Sequence, residues 1–218
     1  MQTELIKREV RRPDLGAHDA VKQRLDALIA NSPVASVISD PLRKDNPIVA
    51  CNAAFMELTG YRESEIVGRN CRFLAGPATE PWLTEAIRDG VLRHNPVLVE
   101  ILNYKKDGTP FRNAVLVAPI FDEFGDLEYF LGSQIELQLD STTTSANRRM
   151  AASVAVQALT ARQREVLAEI SHGRLNKQIA HSLGLSEQTV KMHRAVLMTR
   201  LGVTTTADAI RIAVEAGL

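Results

Sequence analysis

The nine residues GRNCRFLAG (68–76) place a cysteine inside a stretch that is typical of a ligand-binding turn. Cys71 lies between Asn70 and Arg72, whose amide and guanidinium groups bind polar or anionic ligands, and the flanking glycines let the backbone approach a ligand closely. The only other cysteine is Cys51, which lies in the apolar run IVACN and is expected to be a core residue. Because two such cysteines make neither a disulfide framework nor a zinc-ligand pattern, the sequence predicts a site with one free thiol.

The composition is that of a globular protein. With 218 residues the chain is long enough for one large domain or two small ones, and 45% hydrophobic with 24% charged residues is ordinary for this class. No apolar run approaches the ~18–20 residues of a membrane span, and the N-terminal MQTELIKREVRR lacks the apolar core of a signal peptide. These features predict a cytoplasmic protein with free thiols and with no membrane or metal partner.

The charged residues are distributed unevenly along the chain. Residues 30–140 carry 10 Lys and Arg against 16 Asp and Glu, a net charge of −6. Residues 156–218 carry 8 against 5, a net charge of +3, and three of the five histidines. This asymmetry favours a nucleic-acid-binding C-terminal part joined to an acidic body.

The predicted elements divide the chain into four parts. Residues 1–31 form an N-terminal arm with an amphipathic helix over 17–30, residues 32–140 a mixed domain, residues 141–157 a linker helix and residues 158–218 an all-helical domain. Antiparallel strands that follow a run of helices indicate an α+β fold for the mixed domain. This domain is predicted to have a helix over 81–93 and strands over 34–39, 46–52, 96–108, 110–125 and 127–140.

Each of the last three predicted strands places one amide side chain on an otherwise apolar face. These amides are Asn103, Asn113 and Gln134, and Val115 shares the face of Asn113. Burying an unpaired amide costs about 1–3 kcal/mol, so three that converge need a polar partner; the alternative is that this face meets solvent. The opposite face, which includes Leu131, is apolar too. The sequence therefore predicts that something packs on the outside of the sheet.

The C-terminal residues follow the plan of a helix-turn-helix domain. A short helix ends at Gly184, and a longer helix begins at Ser186 and stops at Gly202. The longer helix can turn an apolar stripe to the core and polar side chains outward, where they could meet phosphates and base edges. A helical bundle with such a surface also occurs in protein-interaction domains, so the pattern alone leaves both readings open. The outward-facing residues are predicted to be Gln188, Thr189, Lys191, His193 and Arg194.

A family resemblance favours DNA. The stretch LTARQREVLAEISHGRLNKQIAHSLGLSEQTVKMHRAVLMTRLGV (159–203) closely resembles the four-helix DNA-binding domain of LuxR/NarL-type bacterial regulators. The resemblance implies that the helix starting at Ser186 enters the major groove of double-stranded DNA and that the last helix supplies a dimer contact. By position it implies a DNA-binding set and a dimerisation set. The first is Lys177, Gln188, Thr189, Lys191, His193 and Arg194; the second is Ile210, Ala213 and Val214.

A second resemblance concerns the cysteine. GRNCRFLAG, with Ile87-Arg88, NYKKDGTPFRN (103–113) and GSQ (132–134), closely resembles LOV domains, the flavin-binding photoreceptor branch of the PAS fold. It implies an α+β domain with a five-stranded antiparallel sheet, and a sensor instead of an enzyme. It also implies that light makes the Cys71 sulfur bond covalently and reversibly to flavin C4a. The implied cofactor-binding residues are Asn70, Cys71, Arg72, Arg88, Asn103, Asn113, Val115 and Gln134.

Two details qualify this resemblance. No inserted loop between Arg72 and Arg88 is present to house an adenine, which favours flavin mononucleotide (FMN) over FAD. The family motif has Gln where this chain has Ala75, so the lifetime of the adduct is expected to differ from that of the family.

Together the two resemblances imply a blue-light-sensing transcriptional regulator. We expect the sheet to cover the dimer helix in a dark monomer, and adduct formation to release the DNA-binding domain as a homodimer. Three alternatives stay open from the residues. They are a flavin redox or oxygen sensor in which Cys71 is incidental, a flavoenzyme, and a light-gated interaction module that no longer binds DNA.

Overall fold

The structure is a computed structural model that describes residues 26–122, 124–137 and 145–218. Most of the predicted N-terminal arm, Glu123 and the residues around the predicted boundary at 141 lie outside this range. Residues 26–29 are helical, so the described chain begins inside the helix predicted over 17–30.

One antiparallel sheet of five strands forms the centre of the N-terminal domain, which confirms the predicted fold class. Its order is β2-β1-β5-β4-β3, and every neighbouring pair is antiparallel. The register sets Val115 opposite Gln134 and Ile101 opposite Asn113, so the predicted amide face is continuous across three strands. The strands are β1 (Ala35–Ser39), β2 (Ile48–Cys51), β3 (Val97–Tyr104), β4 (Pro110–Phe121) and β5 (Leu127–Leu137).

Short helices cover the amide-bearing face of the sheet. The side chain of Asn52 caps the first of them by accepting from the Phe55 N–H, and Gly60 ends it in the left-handed conformation that glycine adopts without strain. Pro81 stands at the first helical position of the longest, where its missing N–H costs nothing. These elements are α1 (Ala53–Thr59), α2 (Glu63–Ile66), a 3₁₀ helix (Cys71–Leu74) and α3 (Pro81–Arg93).

Five helices make up the C-terminal part, and side-chain caps begin three of them. Thr160, Ser186 and Thr205 each accept a hydrogen bond from the backbone N–H three residues on. The helices are a linker helix α4 (Ser145–Gln157), followed by α5 (Ala161–Ser171), α6 (Asn176–Leu183), α7 (Glu187–Leu201) and α8 (Thr206–Glu215). Helices α5 to α8 are the predicted four-helix domain, with α6 and α7 as its helix-turn-helix. In the described parts of the chain, every helix is too short or too polar to cross a membrane.

The four-helix domain packs on the outer face of the sheet. Ile38, Leu116 and Leu131 of the sheet are buried in one apolar core with Ile210 and Ala213 of α8. Helix α8 contacts both β3 and β5. The prediction that something covers the outside of the sheet is therefore confirmed, and the cover is the four-helix domain.

A glycine permits a second point of close contact between the two domains. Gly173, between α5 and α6, has a φ of +76°, and a Cβ there would lie 2.2 Å from the carbonyl oxygen of Pro119 on β4. The Phe121 N–H donates to the Gly173 carbonyl at 3.4 Å. Beside it, Gln178 of α6 donates from Nε2 to the Asp122 carbonyl at 2.9 Å. The backbones approach so closely here that no side chain fits at position 173.

Candidate functional site

A cavity of about 470 Å³ lies between the inner face of the sheet and the short helices. This volume is in the range of small-molecule and cofactor sites. All eight residues that the sequence predicts to bind a cofactor line it. These are Asn70, Cys71, Arg72, Arg88, Asn103, Asn113, Val115 and Gln134.

The three predicted amides converge on this cavity and are incompletely satisfied. Asn113 donates from Nδ2 to Asn103 Oδ1 at 2.9 Å, and Asn103 donates from Nδ2 to the Leu102 carbonyl at 3.2 Å. The amide oxygens of Asn113 and Gln134 are buried and accept no hydrogen bond from the described residues. Such orphaned acceptors are expensive in an apolar interior. A ligand with N–H or O–H donors along this wall would satisfy both.

Cys71 lies in the cavity wall at the start of the 3₁₀ helix. The helix begins there because the Asn70 side chain accepts the Arg72 N–H at 3.0 Å. One side of the cysteine faces the cavity, and the other packs against an apolar cluster that includes Phe55 and Leu74. This burial raises the pKa of the Cys71 thiol to about 12. The group is therefore a neutral thiol, with its proton in place, across the physiological pH range.

Asn70 is more engaged than the sequence indicates. Its Nδ2 group donates to the carbonyl oxygens of Asp45 (2.7 Å) and Asn46 (3.4 Å), which ties the 3₁₀ helix to the loop before β2. Both donors of the amide are thus used inside the protein, and one acceptor position is shared with Arg72. A direct contact from Asn70 to a cofactor stays a prediction.

Arginine side chains surround the mouth of the cavity. Arg72 forms an ion pair with Asp45 and Arg88 forms one with Glu85, and in each pair both side chains are more than half exposed. Arg43 also lines the cavity, although the sequence reasoning did not select it. Exposed ion pairs of this kind contribute little to stability, so the guanidinium groups are available to an anionic group of a ligand.

Asn46 is a second cavity residue that the sequence reasoning missed. It has a φ of +47°, follows Asp45 with a φ of +74°, and has a buried Oδ1 that accepts no hydrogen bond within the described chain. The run Asp45-Asn46-Pro47 has a turn-forming composition, and the predicted strand over 46–52 in fact begins only at Ile48.

Five of the six predicted DNA-binding residues lie on the surface of α6 and α7. Gln188, Lys191 and Lys177 are exposed, and Lys191 forms an ion pair with Glu187 one turn away, at 3.2 Å. Thr189 and His193 are half-buried. The outward face of α7 therefore stays accessible while α8 packs on the sheet.

The structure corrects the predicted orientation of Arg194, whereas its predicted contact with DNA is not tested and stays a prediction. Instead of facing outward, its Nη1 donates to Asn176 Oδ1 at 2.9 Å and its Nη2 to Thr206 Oγ1 at 3.0 Å. Burial lowers the pKa of the Arg194 guanidinium. Because Asn176 and Thr206 are neutral acceptors, they do not offset this shift. Helical spacing put Arg194 near the outward face, but acceptors on α6 and α8 hold it between the helices.

The predicted dimerisation residues are covered in this arrangement. Ile210 and Ala213 are buried in the core that α8 shares with the sheet, and Val214 packs against that core. No second chain could contact Ile210 or Ala213 without a rearrangement.

Arg211 connects α8 to the strands that form the back wall of the cavity. Its Nε donates to Ser133 Oγ at 3.0 Å, and its Nη2 donates to the carbonyl oxygens of Ser133 (2.6 Å) and Ala114 (3.0 Å). Glu215, one turn later, accepts from Nη1 at 3.4 Å. Burial lowers the pKa of Arg211 to about 10, so the side chain is still charged at neutral pH. Because Ser133 directly precedes Gln134, the same stretch of β5 contacts α8 on one face and the cavity on the other.

Comparisons with known proteins agree with this geometry. Residues 33–137 match the model of the PAS domain, and residues 157–213 match the model of bacterial regulatory proteins of the luxR family. The chain is 46% identical over 139 residues to blue-light-activated histidine kinase 1 of Erythrobacter litoralis, covering 64% of this chain and 35% of the kinase. It is 43% identical over 117 residues to Phototropin-1A of Oryza sativa subsp. japonica, covering 54% of this chain and 13% of the phototropin. The chain thus spans about a third or less of the length of these relatives.

Solved structures of light-oxygen-voltage (LOV) domains are also similar. A LOV domain studied with a flavin analogue shares 41% identity at a TM-score of 0.49, covering 57% of this chain and 90% of that one. The LOV domain of an Erythrobacter litoralis blue-light activated histidine kinase shares 36% identity at a TM-score of 0.47, covering 49% and 98%. The chain therefore contains a segment that matches the PAS domain, followed by one that matches the luxR family, and its N-terminal part is similar to blue-light-activated histidine kinases and a phototropin.

Proposed function

We propose that this protein is a flavin-binding, blue-light-regulated transcription factor. The observation that carries the proposal is the convergence of Cys71 with Asn103, Asn113 and Gln134 on one cavity, in a chain whose other domain is of the LuxR type. The relatives named as histidine kinases resemble this chain over only part of their length. Its C-terminal residues match the luxR family model, so kinase activity is not part of the proposal.

The residues of the cavity fit FMN. The orphaned acceptors of Asn113 and Gln134 suit the N–H and O–H donors of a flavin ring and ribityl chain. At the mouth, Arg72 and Arg88 could exchange their carboxylate partners for a phosphate, which their forked donors bind well. No metal chemistry is invoked, since the described residues contain no group of three or more His, Cys, Asp or Glu that could hold an ion.

When bound, the flavin would supply blue-light absorption and a C4a=N5 double bond across which the Cys71 S–H could add reversibly, the sulfur going to C4a and the proton to N5. Cys71 contributes a thiol that keeps its proton in the dark, because burial raises its pKa to about 12. Gln134 contributes an amide that can reverse its hydrogen-bonding role, accepting or donating according to the protonation of the group it meets. Its oxygen accepts no hydrogen bond from the described residues, so this role is free for the cofactor.

Transmission to DNA is proposed to run through β5. A reorientation of Gln134 would move the adjoining Ser133, whose carbonyl and hydroxyl bind Arg211 of α8. Weakening these hydrogen bonds would favour undocking of α8 from the sheet. Because the docked and undocked states need differ by only a few kcal/mol, a modest change at Gln134 is enough to shift their populations.

Undocking is proposed to convert a dark monomer into a lit homodimer on DNA. Ile210, Ala213 and Val214 would become available to a second chain. Lys191 and Gln188, which are already exposed, would then meet DNA as two copies on neighbouring half-sites. This division assigns light control to dimerisation, and DNA recognition to a surface that does not itself change.

The first experiment compares the absorption spectrum of the purified protein before, during and after blue illumination. A flavin band that bleaches and recovers in the parent, but not in Cys71→Ala, would support the sensor. Cys51→Ala is the matched control, since the other thiol is not part of the cavity lining. DNA binding measured on the same samples in the light and in the dark would test the proposed control of DNA binding by light. A protein that fails to bleach yet changes DNA binding on chemical reduction of its flavin would favour the redox sensor instead.

A further inference from the structure

One buried side chain fixes the segment that precedes β1. The Nδ2 group of Asn52 lies within hydrogen-bonding distance of the carbonyl oxygens of Ile29 (3.1 Å), Ser32 (3.2 Å) and Val34 (2.9 Å). Its Oδ1 accepts the Ser36 N–H at 2.9 Å, and the residue is only 4% exposed. Residues 29–34 are therefore held firmly to the sensor domain.

The same segment also contacts the first turn of α8. Ser32 donates from Oγ to Asp208 Oδ1 at 2.7 Å, across 176 residues of sequence. Its Oγ meanwhile accepts the Val34 N–H at 3.0 Å, which leaves its proton free for the carboxylate. Ser32 is 6% exposed, and Ile29 is buried in the apolar core that α8 shares with the sheet. One end of the segment thus belongs to the sensor and the other reaches the DNA-binding domain.

Asp208 is well placed to hold its side of this contact. It lies in the first turn of α8, where the helix dipole favours a negative charge. Its Oδ2 accepts from Thr205 Oγ1 at 2.6 Å, and its N–H donates to the same hydroxyl at 3.1 Å. The carboxylate is therefore fixed in orientation before Ser32 binds it, and a hydrogen bond to a charged acceptor is among the stronger kinds.

We propose that residues 29–34 form an N-terminal clasp that holds the first turn of α8 in the docked arrangement. Arg211 holds the middle of the helix, and Arg148 of α4, which bridges Glu100 and Glu215, holds its last turn. The clasp sets how often α8 leaves the sheet in the dark. Its consequence for DNA binding rests on the proposed function, whereas its effect on docking does not.

Ser32 in the clasp and Ser36 in the adjoining strand β1 allow a matched test in the whole chain. Ser32→Ala removes the contact to Asp208, whereas Ser36→Ala removes a hydroxyl that is also buried but, among the described residues, donates to the Val34 carbonyl, at 3.0 Å. Hydrogen exchange of the α8 backbone amides is measured in the dark. Ser32→Ala is expected to speed this exchange about tenfold over the parent, and Ser36→Ala to leave it within about twofold, consistent with the loss of one charge-assisted hydrogen bond.

A double-mutant cycle makes the contact itself the measured quantity. Asp208→Ala removes the acceptor that Ser32 meets, while Thr205 can still cap α8 by accepting the backbone N–H of residue 208. If the clasp exists, Ser32→Ala has a much smaller effect in the Asp208→Ala background than in the parent. Equal effects in the two backgrounds, or equal effects of Ser32→Ala and Ser36→Ala, would overturn the clasp.

The outcomes separate the clasp from the proposed function. Faster α8 exchange in Ser32→Ala supports the clasp even if light leaves DNA binding of the parent unchanged, a result that would count against the proposed function alone. Normal light control of the parent with unchanged exchange in Ser32→Ala overturns the clasp and leaves the proposed function intact.

Discussion

At the scale of single residues, Cys71 and Gln134 are unusual because their surroundings leave their chemistry unused. The thiol packs against apolar groups and keeps its proton, and the Gln134 amide oxygen is buried and accepts no hydrogen bond from the described residues. A neutral thiol is readily buried among apolar groups, whereas a buried amide oxygen without a donor costs free energy. A ligand in the cavity that donates to Gln134 would remove this cost.

The raised pKa of Cys71 predicts slow alkylation. Iodoacetamide reacts with the thiolate, and a pKa of about 12 keeps the thiolate fraction near pH 8 about a thousandfold below that of an ordinary cysteine with a pKa near 8.5. In flavin-free protein we therefore expect Cys71 to be modified much more slowly than in the unfolded chain, with a rate that rises with pH over the range in which the protein stays folded. Site-resolved mass spectrometry measures this. Equal rates in folded and unfolded chains would show that burial does not hold the proton.

Gln134→Leu is expected to separate photochemistry from response. Leucine keeps most of the volume but has no amide to reverse, so the flavin band should still bleach while the light-induced increase in α8 hydrogen exchange falls at least several-fold. Gln188→Leu, which removes an exposed amide from α7, is the control and should respond as the parent does. A Gln134→Leu protein that responds fully would rule out the route through β5.

At the scale of elements, periodicity predicted most of the secondary structure. The helix predicted over 81–93 is α3 at the same residues, and the three long strands were placed correctly, with ends that extended into turns. The side of the sheet on which each side chain lies was predicted as well, because side chains alternate along a strand. The apolar outer face also predicted that another part of the protein packs on it. The contacts between elements could not be predicted this way. Asn176 and Thr206, which bind Arg194, lie 18 and 12 residues away from it, and no local pattern indicates them.

Replacing Arg194 should therefore mainly lower the stability of the fold, whereas replacing Lys191 should mainly weaken DNA binding. Arg194→Leu removes two hydrogen bonds that join α6, α7 and α8, and should lower the free energy of unfolding by about 1–3 kcal/mol in urea titrations. Lys191→Ala removes an exposed i,i+4 pair with Glu187 and should cost no more than about 0.5 kcal/mol. In DNA-binding titrations, Lys191→Ala should reduce the salt-dependence slope by about 1, whereas Arg194→Leu should not. The reverse pattern would restore Arg194 as a phosphate contact.

Gly173 offers a test of the docked interface by steric means. Gly173→Ala adds a Cβ that would lie 2.2 Å from the Pro119 carbonyl, so the α5–α6 turn must move away from β4. We expect dark-state α8 exchange to rise. Gly184→Ala is the control, since it imposes a similar left-handed strain at a φ of +63° but its Cβ would meet nothing within 4 Å. Equal exchange in the two variants would mean that backbone strain, and not the interface, accounts for the change.

At the scale of the whole molecule, the two domains share one apolar core and a small number of directed polar contacts. The core contains Leu116 and Leu131 of the sheet with Ile210 of α8. The buried Arg211 donates directed hydrogen bonds from α8 to the sheet. Relative motion of two domains is the default expectation unless their interface is large and hydrophobic, and the polar contacts make this interface more like a transient one. The apolar outer faces of the strands predicted the apolar core of this interface. The sequence did not predict Arg211 or the contact of Ser32 with Asp208, which join residues far apart in the chain.

The exposed face of α7 in the docked molecule has a consequence for how transcription depends on light intensity and on protein concentration. If every chain can already touch DNA weakly through Lys191, and illumination supplies only the partner, then promoter occupancy at low expression grows with the square of the lit-chain concentration. Halving the fraction of lit chains would then reduce transcription about fourfold in this regime. Raising the expression level of the protein would compensate for a lower light intensity. A reporter titrated against both light intensity and protein level should show this quadratic onset, flattening to a linear one where dimers already predominate.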